Sequence, residues 1–340
     1  MTLDLNIIWF VLVGILFTGY ALLDGFDLGV GALHLFTKTD GERRLMMNSI
    51  GPVWDGNEVW LVTGGGALFA AFPDVYATVF SGFYLGFILL LAALIFRAVA
   101  IEFRSKHKSP VWRASWDISF CFASILTSFL IGLVMGNIVR GIPLGADKEY
   151  TGSFFDLFNL YSILMGVTVV SLFMMHGAIY AVMKIEGALH EKLRFWVNRA
   201  IIFFIMCYAT VTMVTLLYVP HMTETLKTHP VFFFVAFLNM LAIANIPREI
   251  ARGRDFQAFL SSCAAIAALM ALFGLGMFPN LVYSLPHPEF SLTIYNAASS
   301  AKTLLVMFIM TGIGIPVVLA YTISIYWIFR GKVKLDNASY

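Results

Sequence analysis

The sequence predicts an all-α integral membrane protein with about nine transmembrane helices, and three observations support this fold class. Hydrophobic residues make up 60% of the 340 residues and charged residues only 12%, whereas soluble domains carry about 25% charged residues. The hydrophobic residues form runs of about 20 residues, the length that an α-helix needs to cross a bilayer. Lys and Arg cluster in alternate connections between these runs, as positive-inside orientation requires.

Nine predicted spans follow from the apolar runs, and turn residues separate them. The first begins near the N-terminus, which lacks the basic segment of a signal peptide, so we expect this helix to be retained. Pro73 and Asp74 predict a tight turn between the second and third spans. The longest polar connection, 279–302, precedes the last span. The spans lie near 6–36, 53–72, 76–102, 113–138, 157–183, 195–219, 230–247, 257–278 and 303–329.

Positive charge orients these spans. Lys and Arg are frequent in the connections after spans one, three, five and seven and in the C-terminal segment. The opposite connections carry only Arg140, Lys148, Lys227 and Lys302. Because positive residues favour the cytoplasmic side, we expect a cytoplasmic C-terminus and, with nine spans, an N-terminus on the outside. The whole chain, 1–340, is then a single polytopic membrane domain.

Other features of the sequence exclude several classes of function. The formal net charge is only +2, which indicates no nucleic-acid partner. The three cysteines lie in apolar runs and lack the CxxC or CxxCH spacing of a disulfide framework or a covalent haem site. No nucleotide-binding or hydrolase motif is present in the sequence, so neither nucleotide use nor hydrolysis is indicated.

Charged residues inside the predicted spans are the candidate functional residues. Asp24 and Asp27 lie in span one, Asp55 and Glu58 open span two, and Arg97 lies near the end of span three. A charge at bilayer depth costs about 2.5–3.5 kcal/mol on insertion scales, so such residues are paired, hydrated or functional. The predicted topology places all five in the cytoplasmic half of the membrane. Protonatable groups that open only towards the cytoplasm are typical of a proton intake route.

Structural roles stay open for the same residues. Asp24 or Asp27 could pair with Arg97 and lock two helices together, which is a common role for buried charges. Asp117 lies near a predicted helix start, where a carboxylate satisfies the helix N-terminus, and we favour that structural role. His34, near a helix end, is expected to be interfacial.

His176 has two interpretations. With Met174 and Met175 beside it, it could be a haem axial ligand. Methionines are frequent throughout this chain, however, and a methionine at helical spacing usually serves packing. We therefore keep His176, like Asp117, as a structural candidate.

Several segments resemble subunit II of the cytochrome bd quinol oxidases, in order along the whole chain. The most specific is NSIGPVWDGNEVW at 48–60. Others are ALLDGFDLGVG at 21–31, GGGALFAAFP at 64–73, MFP at 277–279 and SLTIYNAASS at 291–300. The segments 221–230 and 280–290 cannot be matched residue by residue, so the resemblance says nothing of ligand contacts there.

The resemblance implies a fold and a partner. The fold would be two four-helix bundles, over about 1–140 and 150–280, with one peripheral helix at about 303–329. The partner would be a homologous subunit I in the bacterial cell membrane that holds haems b558, b595 and d. Subunit II of this family ligates no haem, so we expect no catalytic or metal-binding residue in this chain. Small accessory subunits and a structural quinone are compatible with the resemblance.

The resemblance also implies an activity. The complex would oxidise quinol, reduce oxygen to water and generate a proton gradient without pumping. Asp55 matches an aspartate associated with a cytoplasmic proton path, and Trp60 matches a tryptophan near an oxygen-access tunnel. We expect Glu58, Asp24 and Asp27 to accompany Asp55, with Arg97 keeping one of these carboxylates ionised.

Two rival interpretations use the same charges. A secondary transporter also has intramembrane carboxylates and glycine-rich helices, but its site lies near the midplane, whereas these carboxylates cluster in one predicted leaflet. An inert assembly partner, in which the charges only pair, differs in one respect. Neutralising a carboxylate would then change the yield of the complex and not its turnover.

Overall fold

The structure is a computed structural model that describes residues 4–228 and 231–335. Residues 1–3, 229–230 and 336–340 lie outside the described residues, and with them the extreme ends of the chain and the first position of the predicted span 230–247. The helices are α1 (Leu5–Leu33), α2 (Asp40–Ile50), α3 (Trp54–Ala71), α4 (Pro73–Gly82), α5 (Tyr84–Phe103), α6 (Pro110–Arg140), α7 (Leu160–Lys184), α8 (Ala188–Tyr218), α9 (Pro220–Thr228), α10 (Val231–Ala251), α11 (Asp255–Met277) and α12 (Ala301–Ile328). A short antiparallel hairpin joins β1 (Asn280–Val282) to β2 (Leu292–Thr293).

The all-α membrane fold class is confirmed. Within the described part of the chain, eight helices are long and apolar enough to cross a membrane, namely α1, α5, α6, α7, α8, α10, α11 and α12. The remaining predicted span, the second at 53–72, corresponds to α3, whose first turns carry Asp55, Asn57 and Glu58. At about 1.5 Å per residue this 18-residue helix is about 27 Å long. Nine membrane crossings therefore stay a prediction.

The prediction of one continuous helix over 76–102 is wrong. The backbone leaves the helical conformation at Phe83, which separates α4 from α5. Gly82 approaches Tyr150 so closely that a Cβ atom there would lie 2.8 Å from the Tyr150 side chain. The end of α4 therefore packs against the 141–159 connection, and α5 begins at Tyr84.

The connection after α1 also contains a helix that the sequence analysis did not predict. Thr39 caps α2 in a capping box, in which its side chain accepts from the Glu42 backbone while the Glu42 carboxylate accepts from the Thr39 backbone. Such reciprocal capping satisfies two backbone donors at the helix start. This short helix lies between α1 and α3 in the chain and carries basic and acidic side chains towards the ends of other helices.

Helix packing follows the two halves of the chain. In the first half α1 packs against α3 and α6, and α5 packs against α6. In the second half α7 packs against α8 and α11, and α10 packs against α11. The two halves meet where α7 packs on α1 and α6, while α12 touches α1 and α3 and is otherwise exposed. The domain boundaries near 140, 150 and 280 stay predictions.

Glycines allow the two halves to meet closely. A Cβ atom at Gly29 of α1 would overlap the carbonyl oxygen of Phe173 in α7. A Cβ atom at Gly177 of α7 would overlap the backbone of Val30 in α1. Small residues at crossing points are the usual way in which membrane helices approach each other. This contact holds the polar part of α1, just before Gly29, in the centre of the molecule.

Basic side chains from distant connections meet at one end of the molecule, which we call the basic end. Arg104, after α5, and Arg113, in α6, both contact Asp40 of α2. Lys192 of α8 contacts Glu42 of α2. The structure therefore joins the connections that the positive-charge pattern placed on one side.

Candidate functional site

The centre of the candidate site is a buried ion pair between α1 and α5. Arg97 Nη1 donates to Asp24 Oδ2 at 2.8 Å, and Arg97 Nη2 donates to Asp24 Oδ1. Both side chains are 0% exposed. A bidentate pair is the strong geometry for guanidinium and carboxylate, and here it also ties two helices together. Of the two carboxylates that could have paired with Arg97, the structure selects Asp24.

Asp27 lies one helical turn from Asp24 and has a different environment. It is fully buried, and its Oδ2 accepts a hydrogen bond from Asn57 Nδ2 at 2.7 Å. Its Oδ1 has no hydrogen-bond partner among the described residues. Asn57 Oδ1 in turn accepts from the Tyr326 hydroxyl at 2.8 Å. Asp27 is therefore a buried carboxyl group held by an amide and not by a cation.

Asp55 and Glu58 lie near the start of α3, the helix that also carries Asn57. Asp55 is exposed in the first turn of α3, and Glu58, one turn deeper, is half-buried. Glu58 lies within electrostatic range of Asp24, Arg97 and Asp55. The burial of the four acidic side chains thus increases from the exposed start of α3 to the buried centre of α1.

Trp60 lies further along α3 and packs against α1. Its half-buried ring lies so close to Gly19 of α1 that a Cβ atom there would overlap it. The contact fixes the ring between α1 and α3. Its predicted role in oxygen access stays a prediction.

The expected position of Asp117 at a helix start is wrong. Ser109 caps α6 and Pro110 begins it, so Asp117 lies two turns inside the helix. There it forms the centre of a charged cluster at the basic end. Arg104 Nε donates to it at 2.6 Å and Arg43 Nη1 at 2.9 Å. Asp117 thus pairs with the buried Arg104 and the half-buried Arg43, and its structural role stays a prediction.

His34 belongs to the same cluster, so its expected interfacial position is wrong as well. The ring is 0% exposed, and its Nε2 lies 2.5 Å from Asp117 Oδ1. The ring also packs edge-on against Phe120 of α6. At His34 the end of α1 is therefore packed against α6.

His176 lies in the core between α1, α7 and α11. Its Nε2 donates to the carbonyl oxygen of Leu22 at 3.0 Å, and its Nδ1 lies 2.8 Å from Ser262 Oγ. The ring is stacked on Phe259. Both ring nitrogens are engaged, so His176 does not fit a haem iron. Among the described residues, no group of three or more His, Cys, Asp or Glu side chains could hold a metal ion.

Glu42 pairs with a lysine at the basic end. Lys192 of α8 donates to its carboxylate, and the backbone N–H of Lys38 donates to Oε2 at 2.8 Å. The hydrogen bond from Lys192, followed by the backbone hydrogen bonds, lowers the pKa of Glu42 below its ordinary value. The ionised carboxylate thus links α2 to α8.

This link predicts a pH dependence of stability. Because the folded-state pKa of Glu42 lies below its ordinary value of 4.5, the link stabilises the folded chain above that pH and loses this effect as the pH falls through the folded pKa. We expect Glu42→Gln to unfold at a temperature that depends less on pH, between about pH 6 and pH 3, than that of the unsubstituted chain. Thermal unfolding in detergent measures this. The exposed Glu186 supplies the control, since Glu186→Gln should keep the original pH dependence; equal slopes for both variants would contradict the assignment.

Two residues of the site were missed by the sequence analysis. Asn57 lies between Asp55 and Glu58 in the specific 48–60 segment, so its position was visible although its role was not. Tyr326 lies 269 residues further along the chain, in the last helix, and nothing in the sequence connects it with α1 or α3.

Comparisons with known proteins agree with this architecture. The family model described as cytochrome bd terminal oxidase subunit II matches residues 5–329. The chain is 35% identical over 364 aligned residues to cytochrome bd-I ubiquinol oxidase subunit 2 of Escherichia coli K12, with 98% of this chain and 96% of that protein covered. It is also 35% identical to cytochrome bd ubiquinol oxidase subunit 2 of Bacillus subtilis 168, with 97% of each covered.

A solved structure shares the fold. The structure of bd oxidase from Geobacillus thermodenitrificans contains a chain that superposes with a TM-score of 0.79, covering 97% of this chain and 98% of that chain at 16% identity. Such low identity shows the fold alone. The family match and the full-length relatives together identify a multi-pass protein of the bacterial inner membrane. The chain belongs to the cytochrome bd terminal oxidase subunit II family.

Proposed function

We propose that this chain is the non-haem subunit of a quinol:oxygen oxidoreductase, and that it supports assembly with a haem-bearing subunit I and delivers protons towards it. Family membership and the names of its ubiquinol oxidase relatives support the assignment to such a complex. The engaged ring of His176 agrees with haems b558, b595 and d lying in the partner. The proton route uses only side chains of this chain.

The observation that carries the proton-delivery proposal is the graded burial of four acidic side chains. Asp55 is exposed, Glu58 is half-buried, and Asp24 and Asp27 are fully buried. A proton entering at Asp55 would pass to Glu58 and then to the Asp24 and Asp27 carboxyls. Arg97 balances one negative charge, so a proton bound to a second carboxyl keeps the buried group close to neutral.

The direction of the route follows from the proposed orientation. Positive residues favour the cytoplasm, so the basic end would face it, and α3 begins on that side. The protons that oxygen reduction consumes would then come from the cytoplasm, while those from quinol would leave outside. This separation builds a proton gradient without a pump.

The proposal also covers oxygen access, further partners and the substrates of the complex. Trp60, held against Gly19, would border an oxygen route between α1 and α3. Small accessory subunits and a structural quinone are compatible with the exposed apolar helix surfaces. Quinol and oxygen would be substrates of the complex and not of this chain.

The first experiment is to purify the tagged chain in mild detergent from its own membranes and record a reduced-minus-oxidised visible spectrum. Co-purification of a membrane partner with b- and d-type haem bands is the expected result. A colourless chain without a partner would contradict the proposed assembly.

The proton route is tested by Asp55→Asn in the purified complex. We expect oxygen consumption to fall about tenfold, because a positioned acid–base group typically contributes about 10²–10⁴ to a proton-transfer step and neighbouring acids replace part of it. The haem spectrum should be unchanged. Asp147→Asn, an exposed aspartate in the 141–159 connection, should behave like the original complex. Full turnover in an assembled Asp55→Asn complex would refute the route.

A further inference from the structure

The last helix, α12, is fixed to the rest of the molecule near its C-terminal end. Most of α12 is exposed, yet the half-buried Tyr326 donates its hydroxyl to Asn57 Oδ1 at 2.8 Å. Lys184, at the end of α7, donates to the carbonyl oxygens of Phe329 and Gly331. These contacts hold the C-terminal end of α12 against α3 and α7, while at its other end Trp9 Nε1 of α1 donates to the carbonyl oxygen of Leu304 at 3.0 Å.

The Tyr326 hydroxyl also determines how the Asn57 amide is oriented. Asn57 Nδ2 donates to Asp27 Oδ2 at 2.7 Å and to the carbonyl oxygen of Leu23 at 3.2 Å. A rotated amide would point its oxygen at these two acceptors. The Tyr326 O–H gives Asn57 Oδ1 a donor on the opposite side, so it stabilises the orientation in which Nδ2 faces Asp27.

The Asp27 carboxyl is thereby held by one oxygen only. Oδ2 accepts from Asn57, whereas Oδ1 has no partner among the described residues and is buried. An oxygen in that position can accept a proton and release it again without breaking the contact that orients the group.

We propose that Asn57 and Tyr326 are positioning residues for proton transfer at Asp27, and that Tyr326 couples the placement of α12 to this step. The inference rests on the proposed function of Asp27 as a member of the proton route. Neither residue would itself carry a proton; each would set the orientation of the group that does. A displacement of α12 would release the amide and weaken its hold on Asp27.

Charged and titratable groups surround Asp27 on several helices and share the effect of any change. They are Asp24 on α1, Glu58 on α3, Arg97 on α5, Tyr180 on α7 and Tyr326 on α12. None of these except Tyr326 contacts Asn57 Oδ1 by a hydrogen bond within the described part of the chain. A variant that removes only the Tyr326 hydroxyl therefore changes the amide orientation and leaves the surrounding charges in place.

The test uses the purified oxidase complex and compares Tyr326→Phe with Tyr321→Phe. Tyr321 is on the same helix and 65% exposed, so its hydroxyl is the matched control. We expect Tyr326→Phe to lower turnover about threefold and to shift the pH dependence of turnover upward by about one pH unit. The shift arises because a less well bonded carboxylate holds its proton to higher pH. A purely structural contact would change yield without moving the pH profile.

A double variant tests whether Tyr326 acts on turnover through Asn57. Asn57→Leu removes the amide, so adding Tyr326→Phe to it should cause no further loss of turnover and no further pH shift. Additive effects, or a Tyr326→Phe complex that matches Tyr321→Phe, would overturn the proposal. If Asn57→Leu does not assemble, the pH profile of Tyr326→Phe decides alone.

Asp27→Asn separates this inference from the proposed function. If Asp27→Asn lowers turnover and Tyr326→Phe does not, the positioning role fails while the proton route stands. If Asp27→Asn leaves turnover unchanged, the role of Asp27 in the route fails, and the positioning role fails with it.

Discussion

Replacing Arg97 with methionine is expected to destabilise the folded chain by about 3–5 kcal/mol, the typical cost of leaving one member of a buried ion pair without its partner. The Asp24 carboxylate is 0% exposed and accepts two hydrogen bonds from this guanidinium. Most of the chain should then be lost before it assembles. Thermal unfolding and the monodisperse yield in detergent measure the effect. Arg199→Met is the control, because Arg199 is exposed and packs over Phe195.

A second variant separates the structural role of this pair from its role in proton delivery. Replacing both members with apolar residues of similar size, as in Asp24→Leu with Arg97→Met, removes the unpaired charge. We expect this double variant to recover much of the stability and yield but not the turnover. Recovery of both would show that the pair only locks α1 to α5, whereas failure to recover stability would show that the loss in Arg97→Met does not come from the orphaned Asp24.

Asp117→Leu is expected to have the second-largest effect, about 3 kcal/mol, because it removes the buried carboxylate shared by the buried Arg104 and the half-buried Arg43 and leaves Arg104 only its contact with Asp40. Arg104 is 1% exposed, and both it and Arg43 donate to Asp117. Their charges would then repel each other and the polar end of α1 would open. Hydrogen exchange should rise first in α2 and the start of α6, and the unfolding temperature should fall.

The opposite end of the molecule provides a matched control for this prediction. Asp74 and Lys148 also form an ion pair, at 2.5 Å, but their side chains are 44% and 40% exposed. An exposed pair contributes about 0–1 kcal/mol, so Asp74→Leu should change stability little. Equal losses in Asp117→Leu and Asp74→Leu would show that burial does not determine the cost.

The sequence predicted most of the membrane helices and their order along the chain. Apolar runs define α1, α5 to α8 and α10 to α12 because a lipid-spanning helix must satisfy its own backbone and cover itself with apolar side chains. The break at Phe83 was not predicted, because only Ser81 and Gly82 mark it within the apolar run and glycine is also frequent inside membrane helices. The helix α2 was missed although Thr39 and Glu42 carry the spacing of a capping box.

The charged members of the candidate site were predicted, but their pairing and the two uncharged members, Asn57 and Tyr326, were not. Asp24, Asp27 and Arg97 were singled out because charges inside apolar segments are costly. Whether Arg97 would contact Asp24 or Asp27 depended on how α1 is rotated about its axis relative to α5. The spacing of polar residues along α1 predicts which face is polar, but it does not distinguish two residues on that face. Asp117 was placed at a helix start because the capping role of Ser109 was not recognised.

The sequence by itself determined the class of the protein, the segments that form membrane helices, the side on which positive charge collects and the family to which the chain belongs. These properties depend on composition and local order, since lipid selects apolar helices wherever they occur along the chain. The tertiary structure alone decided that Asp24 pairs with Arg97. It also decided that Asp27 accepts a hydrogen bond from Asn57, whose side-chain oxygen accepts one from Tyr326. Those contacts join residues far apart in the chain, and their distances follow from how whole helices pack.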